Sequence, residues 1–108
     1  MAIHKCKITV LRREIYQDIQ EQYLVNPQAG KCPVFEDGQE FIVEKKEYLK
    51  LMNGKFCSEA WDCISKYVYA ALQGGSIFSG WTKDEKIMIA CCNDGTRPVI
   101  FKLERIDE

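Results

Sequence analysis

The chain has 108 residues, which is the length of one domain. Its 46% hydrophobic and 29% charged residues exclude disorder, collagen-like repeats and low-complexity polymer. The net charge of −1, from 15 Lys and Arg against 16 Asp and Glu, argues against a nucleic-acid partner, because phosphate neutralisation calls for a basic surplus.

The N-terminal stretch MAIHKCKITVLRRE carries charges throughout, with no apolar core and no small-residue cleavage site. No apolar run reaches the length of a bilayer. Both features predict a cytoplasmic chain without a membrane partner. Within the stretch, His4, Cys6, Ile8 and Val10 alternate with Lys5, Lys7 and Thr9, so residues 3–11 are expected to form a half-buried strand. The charge of +4 on residues 1–13 (Lys5, Lys7, Arg12, Arg13) then reads as that strand's polar face; no aromatics interleave to suggest a nucleic-acid arm.

Residues 14–24 place Ile15, Ile19 and Tyr23 at four-residue spacing, the pattern of a short amphipathic helix, with a polar strand as the alternative reading. Pro27 and Gly30 mark a loop. Cys32-Pro33-Val34-Phe35 leads into a turn at Glu36-Asp37-Gly38, and Glu40–Glu44 reads as a short strand. Lys45–Leu51 has no clear period, and Asn53-Gly54 is a turn signal.

The clearest helix covers residues 58–73. Ser58 offers an N-cap, and Glu59 and Asp62 suit the positive end of the dipole. Trp61, Ile64, Val68, Ala71 and Leu72 form its apolar stripe, and Gly74-Gly75 ends it. Residues 76–85 form a loop carrying Phe78 and Trp81. Ile87–Cys92 is an apolar run suited to a buried strand, Asn93–Arg97 is a connecting loop, and Val99–Ile106 alternates, so the two runs form a C-terminal hairpin. The expected fold is one α+β domain spanning 1–108: a small antiparallel sheet with one long helix and one short helix packed on it.

Six cysteines are the unusual feature: Cys6, Cys32, Cys57, Cys63, Cys91 and Cys92. In a reducing compartment they do not imply disulfides. There is no C-x-x-C pair, and His4 is the single histidine, so spacing does not signal zinc or an iron–sulfur cluster. Cys32, Cys57, Cys91 and Cys92 nevertheless fall at element ends, where they form a candidate metal or cluster set. Cys6 and Cys63 read as small core residues.

Cys57 precedes the helix at 58–73, where the dipole favours thiolate. Its other reading is an idle thiol facing an apolar pocket. Cys91 and Cys92 point to opposite faces of their strand, beside the polar loop with Asp94 and Arg97. Candidate catalytic residues are thus Cys57, Glu59, Cys92 and Asp94, with Glu59 or Asp62 exchanging a proton. Candidate ligand-binding residues are Trp61, Tyr67, Trp81 and Arg97, the last able to hold an anionic group. Trp61 also reads as a core anchor, and Trp81 as a lid or a cap on the core. Phosphate-loop, dinucleotide, zinc-protease and serine-hydrolase motifs are absent from the sequence.

The runs FCSEAWDCISKYVYAALQGG and GWTKDEKIMIACCNDGTRPVIFKLERI, with CPVFEDGQEF before them, resemble a family of small prokaryotic proteins of anaerobic bacteria and archaea described as uncharacterised repeat proteins. The resemblance runs from the first strand to Ile106 and singles out Cys32, Gly38, Phe41, Cys57, Ala60, the Tyr67–Tyr69 region, Gly74, Gly75, Trp81, Cys91, Pro98 and Phe101. Many relatives carry Cys-Pro where this chain has Cys57-Ser58, and Cys-Pro-Asp in place of the Cys91–Asp94 segment. The resemblance implies a single copy of the unit and carries no activity with it.

The residues support a binding or thiol/redox module with a site near Cys57 and the Cys91–Arg97 loop, taking a small molecule or a metal. Two alternatives stay open: a structural protein that forms a homodimer through an edge strand, and a small enzyme using the thiolate at the helix N-terminus.

Overall fold

The alternation of residues 4–10 is satisfied by burying one side of a strand. In the computed structural model, which describes residues 3–50 and 56–108, that strand is β1, His4–Arg13. Cys6, Ile8 and Val10 are fully buried. The strand outlasts its expected end because it contains a bulge: pairing passes from Val10–Phe101 to Arg12–Ile100, leaving Leu11 as the extra residue. The bulge brings Arg13 opposite Val99, and its guanidinium donates to Asp37 and to the Cys32 carbonyl, both at 3.0 Å.

The short helix, α1, covers Gln17–Tyr23. Two expectations about it are corrected. Its Ile19 and Tyr23 are exposed, and the buried residue is Gln20. It also does not lie on the sheet as the long helix does. It sits beyond the end of β1, where the Tyr16 amide donates to the Thr96 carbonyl at 2.8 Å and Gln20 Nε2 reaches Thr96 Oγ1 at 3.5 Å. Two turns of helix offer too little apolar face to compete for the sheet, so the contacts at its buried polar residue decide its seat.

Strand β2, Glu40–Val43, pairs antiparallel with β1 and is followed by a 3-10 turn at Lys45–Glu47. The Asn53-Gly54 turn expected from the sequence lies outside the described residues.

Helix α2 covers Ser58–Leu72. All five residues of its expected stripe are buried, together with Ala60. Its N-cap is Cys57, not Ser58, and no side chain caps it. At its other end Gly75 N–H donates to Ala70 C=O and Gly74 N–H to Ala71 C=O, so the chain leaves the helix in a Schellman turn with Gly74 at φ +78°. That turn stops the helix one residue short of the expected 73.

Strands β3 (Ile87–Cys91) and β4 (Val99–Asp107) form the expected C-terminal hairpin. The four strands lie in the order β2-β1-β4-β3, every neighbouring pair antiparallel. Helix α2 crosses one face of this sheet, and its stripe meets Ile8, Val10, Val43, Val99, Phe101 and Leu103. Each fully buried aliphatic side chain contributes about 1.5–3 kcal/mol. The opposite face of the sheet carries no described helix, so the fold is two layers.

Candidate functional site

Arg105 Nη1 holds the carbonyls of Gly74 and Gly75 at 2.7 and 2.8 Å, which fixes the C-terminus of α2 near the start of β1. Its N-terminus therefore points to the end where β1 finishes and β4 begins. Cys32, Cys57, Cys91 and Cys92 all lie toward that end. The Cys32 carbonyl bonds Arg13, Cys57 caps α2, Cys91 pairs with Ile100 and the Cys92 amide bonds Val99. They share an end without forming a cluster. Among the described residues no three His, Cys, Asp or Glu side chains form a group able to hold a metal, and this holds for the four cysteines of the candidate metal set.

Cys57 lies in a cleft of about 410 Å³. Phe35, Phe41, Phe56 and Val34 form its apolar wall, and Gln39, Cys57 and Ser58 its polar side. The wall is rigid, because Phe35 packs on Phe56, Phe41 and Phe101 with ring centroids 5.0, 6.3 and 5.3 Å apart. On the polar side the helix begins. The Cys57 carbonyl accepts the Trp61 amide at 2.9 Å, but no described residue accepts from the amides of Ser58, Glu59 and Ala60. Glu59 is exposed on this first turn.

The remaining thiols divide by face. Cys6 is fully buried, and burial pushes its thiol up to about 12. Cys63, on the flank of α2, is also raised, first by burial and then by neighbouring Cys92, Asp62 and Cys91. Cys91 is exposed on the uncovered face of the sheet, whereas Cys92 packs against the core with its Sγ accepting the Val99 amide at 3.4 Å. The adjacent pair thus faces both ways, as strand geometry requires.

Asp94 is committed to its own loop. Its Oδ1 accepts the Thr96 amide at 2.9 Å, the Arg97 amide at 3.1 Å and the Thr96 hydroxyl at 3.2 Å, while Oδ2 accepts Arg97 Nε at 3.2 Å. Partial burial pushes its carboxyl up, but these bonds outweigh that and hold it below the ordinary range. Arg97 is correspondingly ion-paired. Trp61 is a core residue, packed edge-on against Tyr48 and Phe56. Tyr67 is half-buried beneath the Lys66 ammonium, 5.3 Å from its ring centroid. Trp81 is 69% exposed beside Phe78 and lies outside the core.

Sequence reasoning missed two features. One is the aromatic wall of the cleft, whose Phe35, Phe41 and Phe56 come from three separate segments. The other is a polar cluster at the far end. His4 Nδ1 donates to Asp107 Oδ1 at 2.7 Å, Arg105 Nε lies 3.1 Å from that oxygen, and Lys86 Nζ lies 3.3 Å from Asp107 Oδ2. These bonds, the one from His4 first, hold the Asp107 carboxyl down to about 2, so it is ionised and acceptor-only. No short motif announces either feature.

No family model, curated protein or solved structure matches the chain.

Proposed function

We propose that the protein is a small-ligand-binding module whose site is the cleft at the N-terminus of α2, with Cys57 at its mouth. The observation that carries this reading is a coincidence of three things in one place: an aromatic wall, a thiol, and amides at the positive end of a 15-residue helix with no described acceptor. An apolar ligand body suits the wall, and an anionic or acceptor group suits the amides. The Cys91–Arg97 loop drops out of the site in this reading, because Asp94 and Arg97 satisfy each other.

Alkylation by iodoacetate and by iodoacetamide tests the site, with each cysteine read separately by peptide mass spectrometry. The anionic reagent is expected to gain about two- to fivefold over the neutral one at Cys57, relative to their ratio at exposed Cys91. An equal ratio at the two cysteines sinks the proposal.

A further inference from the structure

Strand β3 has the sequence of a strand covered on both faces. Met88 and Ala90 pack toward α2, and Ile87, Ile89 and Cys91 alternate onto the other side. Yet β3 is an edge strand, and its outer side lies on the uncovered face, where Ile89 is 41% exposed and Cys91 is exposed. On β2 the same face presents Ile42, 51% exposed. The neighbouring strand β4 presents Ile100, Lys102, Glu104 and Ile106 there, a pattern that reads the same through a centre at Leu103 once charge is inverted.

We propose that this face is covered by a second copy of the chain, stacked sheet on sheet about a two-fold axis passing near Leu103. Within one copy Lys102 Nζ already lies 3.7 Å from Glu104 Oε1; such an axis sets this pair against its inverted image, Lys102 of each copy facing Glu104 of the other, and Ile100 facing Ile106. An isologous contact requires that kind of self-complementarity. The rest of the face is balanced too. Lys5 pairs with Glu44 at 3.2 Å and Lys7 with Glu40 at 3.5 Å, so its central charges are already neutralised. Sheets stacked with their strands nearly aligned bring such faces within about 10 Å. Strands of 4, 10, 9 and 5 residues, at about 3.3 Å per residue and about 4.8 Å apart, cover about 440 Å² in projection. That lies below the roughly 800 Å² per partner of a standard interface and suits a weak dimer, read between micromolar and millimolar concentration.

Edge-to-edge pairing offers less. The Ile87 amide donates to Asp84 C=O at 2.9 Å, and its carbonyl accepts Thr82 Oγ1 at 2.7 Å, which leaves only the Ile89–Cys91 end of β3 open. Strand β2 has four residues.

Sedimentation equilibrium from micromolar to millimolar concentration tests the proposal. The wild-type chain is expected to dimerise. Lys102→Glu and Glu104→Lys, each alone, are expected to weaken association about tenfold or more through like-charge contact. An equimolar mixture of the two variants is expected to recover it, because only contact between copies then restores opposite charges. Ile89→Glu, on β3's outer side, is expected to weaken association independently, with circular dichroism confirming the fold of every variant. A wild-type chain that stays monomeric throughout overturns the proposal. So does a dimer indifferent to Lys102→Glu, or a mixture no tighter than its parts. None of these outcomes bears on the cleft, which lies on the helix side of the sheet.

Discussion

Gly74 is where the C-terminus of α2 meets β1, and two demands coincide there. Its φ of +78° disfavours any residue with a Cβ, and a Cβ at this position would overlap His4 Nε2. His4 cannot easily withdraw, since Asp107 holds its other ring nitrogen. Gly74→Ala is therefore expected to lose at least about 2 kcal/mol in urea denaturation. At Gly75 a Cβ would meet only the Ala70 carbonyl at 3.8 Å, so Gly75→Ala should stay within about 0.5 kcal/mol. Equal effects at the two glycines would contradict the His4 contact. The thiols allow a second residue-level check. Cys6 is fully buried and hard to ionise, so it should be the last thiol alkylated in the native protein, and exposed Cys91 among the first. Early loss of the Cys6 thiol in a peptide map would show that β1 opens far more readily than its burial implies.

Among the elements, the 94–97 loop is the support of α1. Asp94 gathers the Thr96 and Arg97 amides, and Thr96 in turn receives the Tyr16 amide and the Gln20 side chain. Asp94→Ala leaves those amides without their acceptor and is expected to cost about 1–3 kcal/mol. Hydrogen exchange should then quicken in α1, at Gln20 and Leu24, before it changes in α2; Asp94→Asn, which keeps an acceptor, should do much less. Unchanged protection in α1 would refute this dependence. The same loop explains what the sequence could and could not reveal. Strand β1 and helix α2 were legible because each buries one side against a single core, so their periods of two and of three to four survive in the residues. The spacing of Ile15, Ile19 and Tyr23 mimicked such a pattern, but α1 is seated by Gln20 on Thr96, 76 positions away, which no local period encodes. The candidate site was half legible for the same reason. Cys57 could be placed at the start of α2, but its true role as N-cap, and the convergence of Phe35, Phe41 and Phe56 beside it, depend on how three segments meet.

At the scale of the whole molecule, the near-zero net charge resolves into local ion pairs that tie the ends of the sheet together. Asp107 joins β4 to His4 of β1 and, through Arg105, to the end of α2; Asp37 joins the loop before β2 to Arg13. The bonds from His4, Lys86 and Arg105 hold Asp107 down to about 2, and the Arg13 guanidinium holds Asp37 below its usual range. A carboxylate whose folded value lies below its unfolded one stabilises the protein above the unfolded value and loses that contribution as pH falls through the folded one. For Asp107 the window therefore runs from its ordinary 3.8 down to about 2. Lys5 works in the opposite sense: its bonds to Glu108 and Glu44 raise it above 10.5, so its contribution is present at neutral pH and fades as pH climbs beyond that value. Stability should accordingly be flat between these limits, as far as these groups set it, and fall on the acid side. Asp107→Asn should be less stable than wild type at neutral pH. The two curves of unfolding free energy should approach one another between pH 3.8 and about 2, because acid removes from the wild type what the substitution has already removed. Curves that remain parallel through that interval would show that Asp107 is not what joins the first strand to the last.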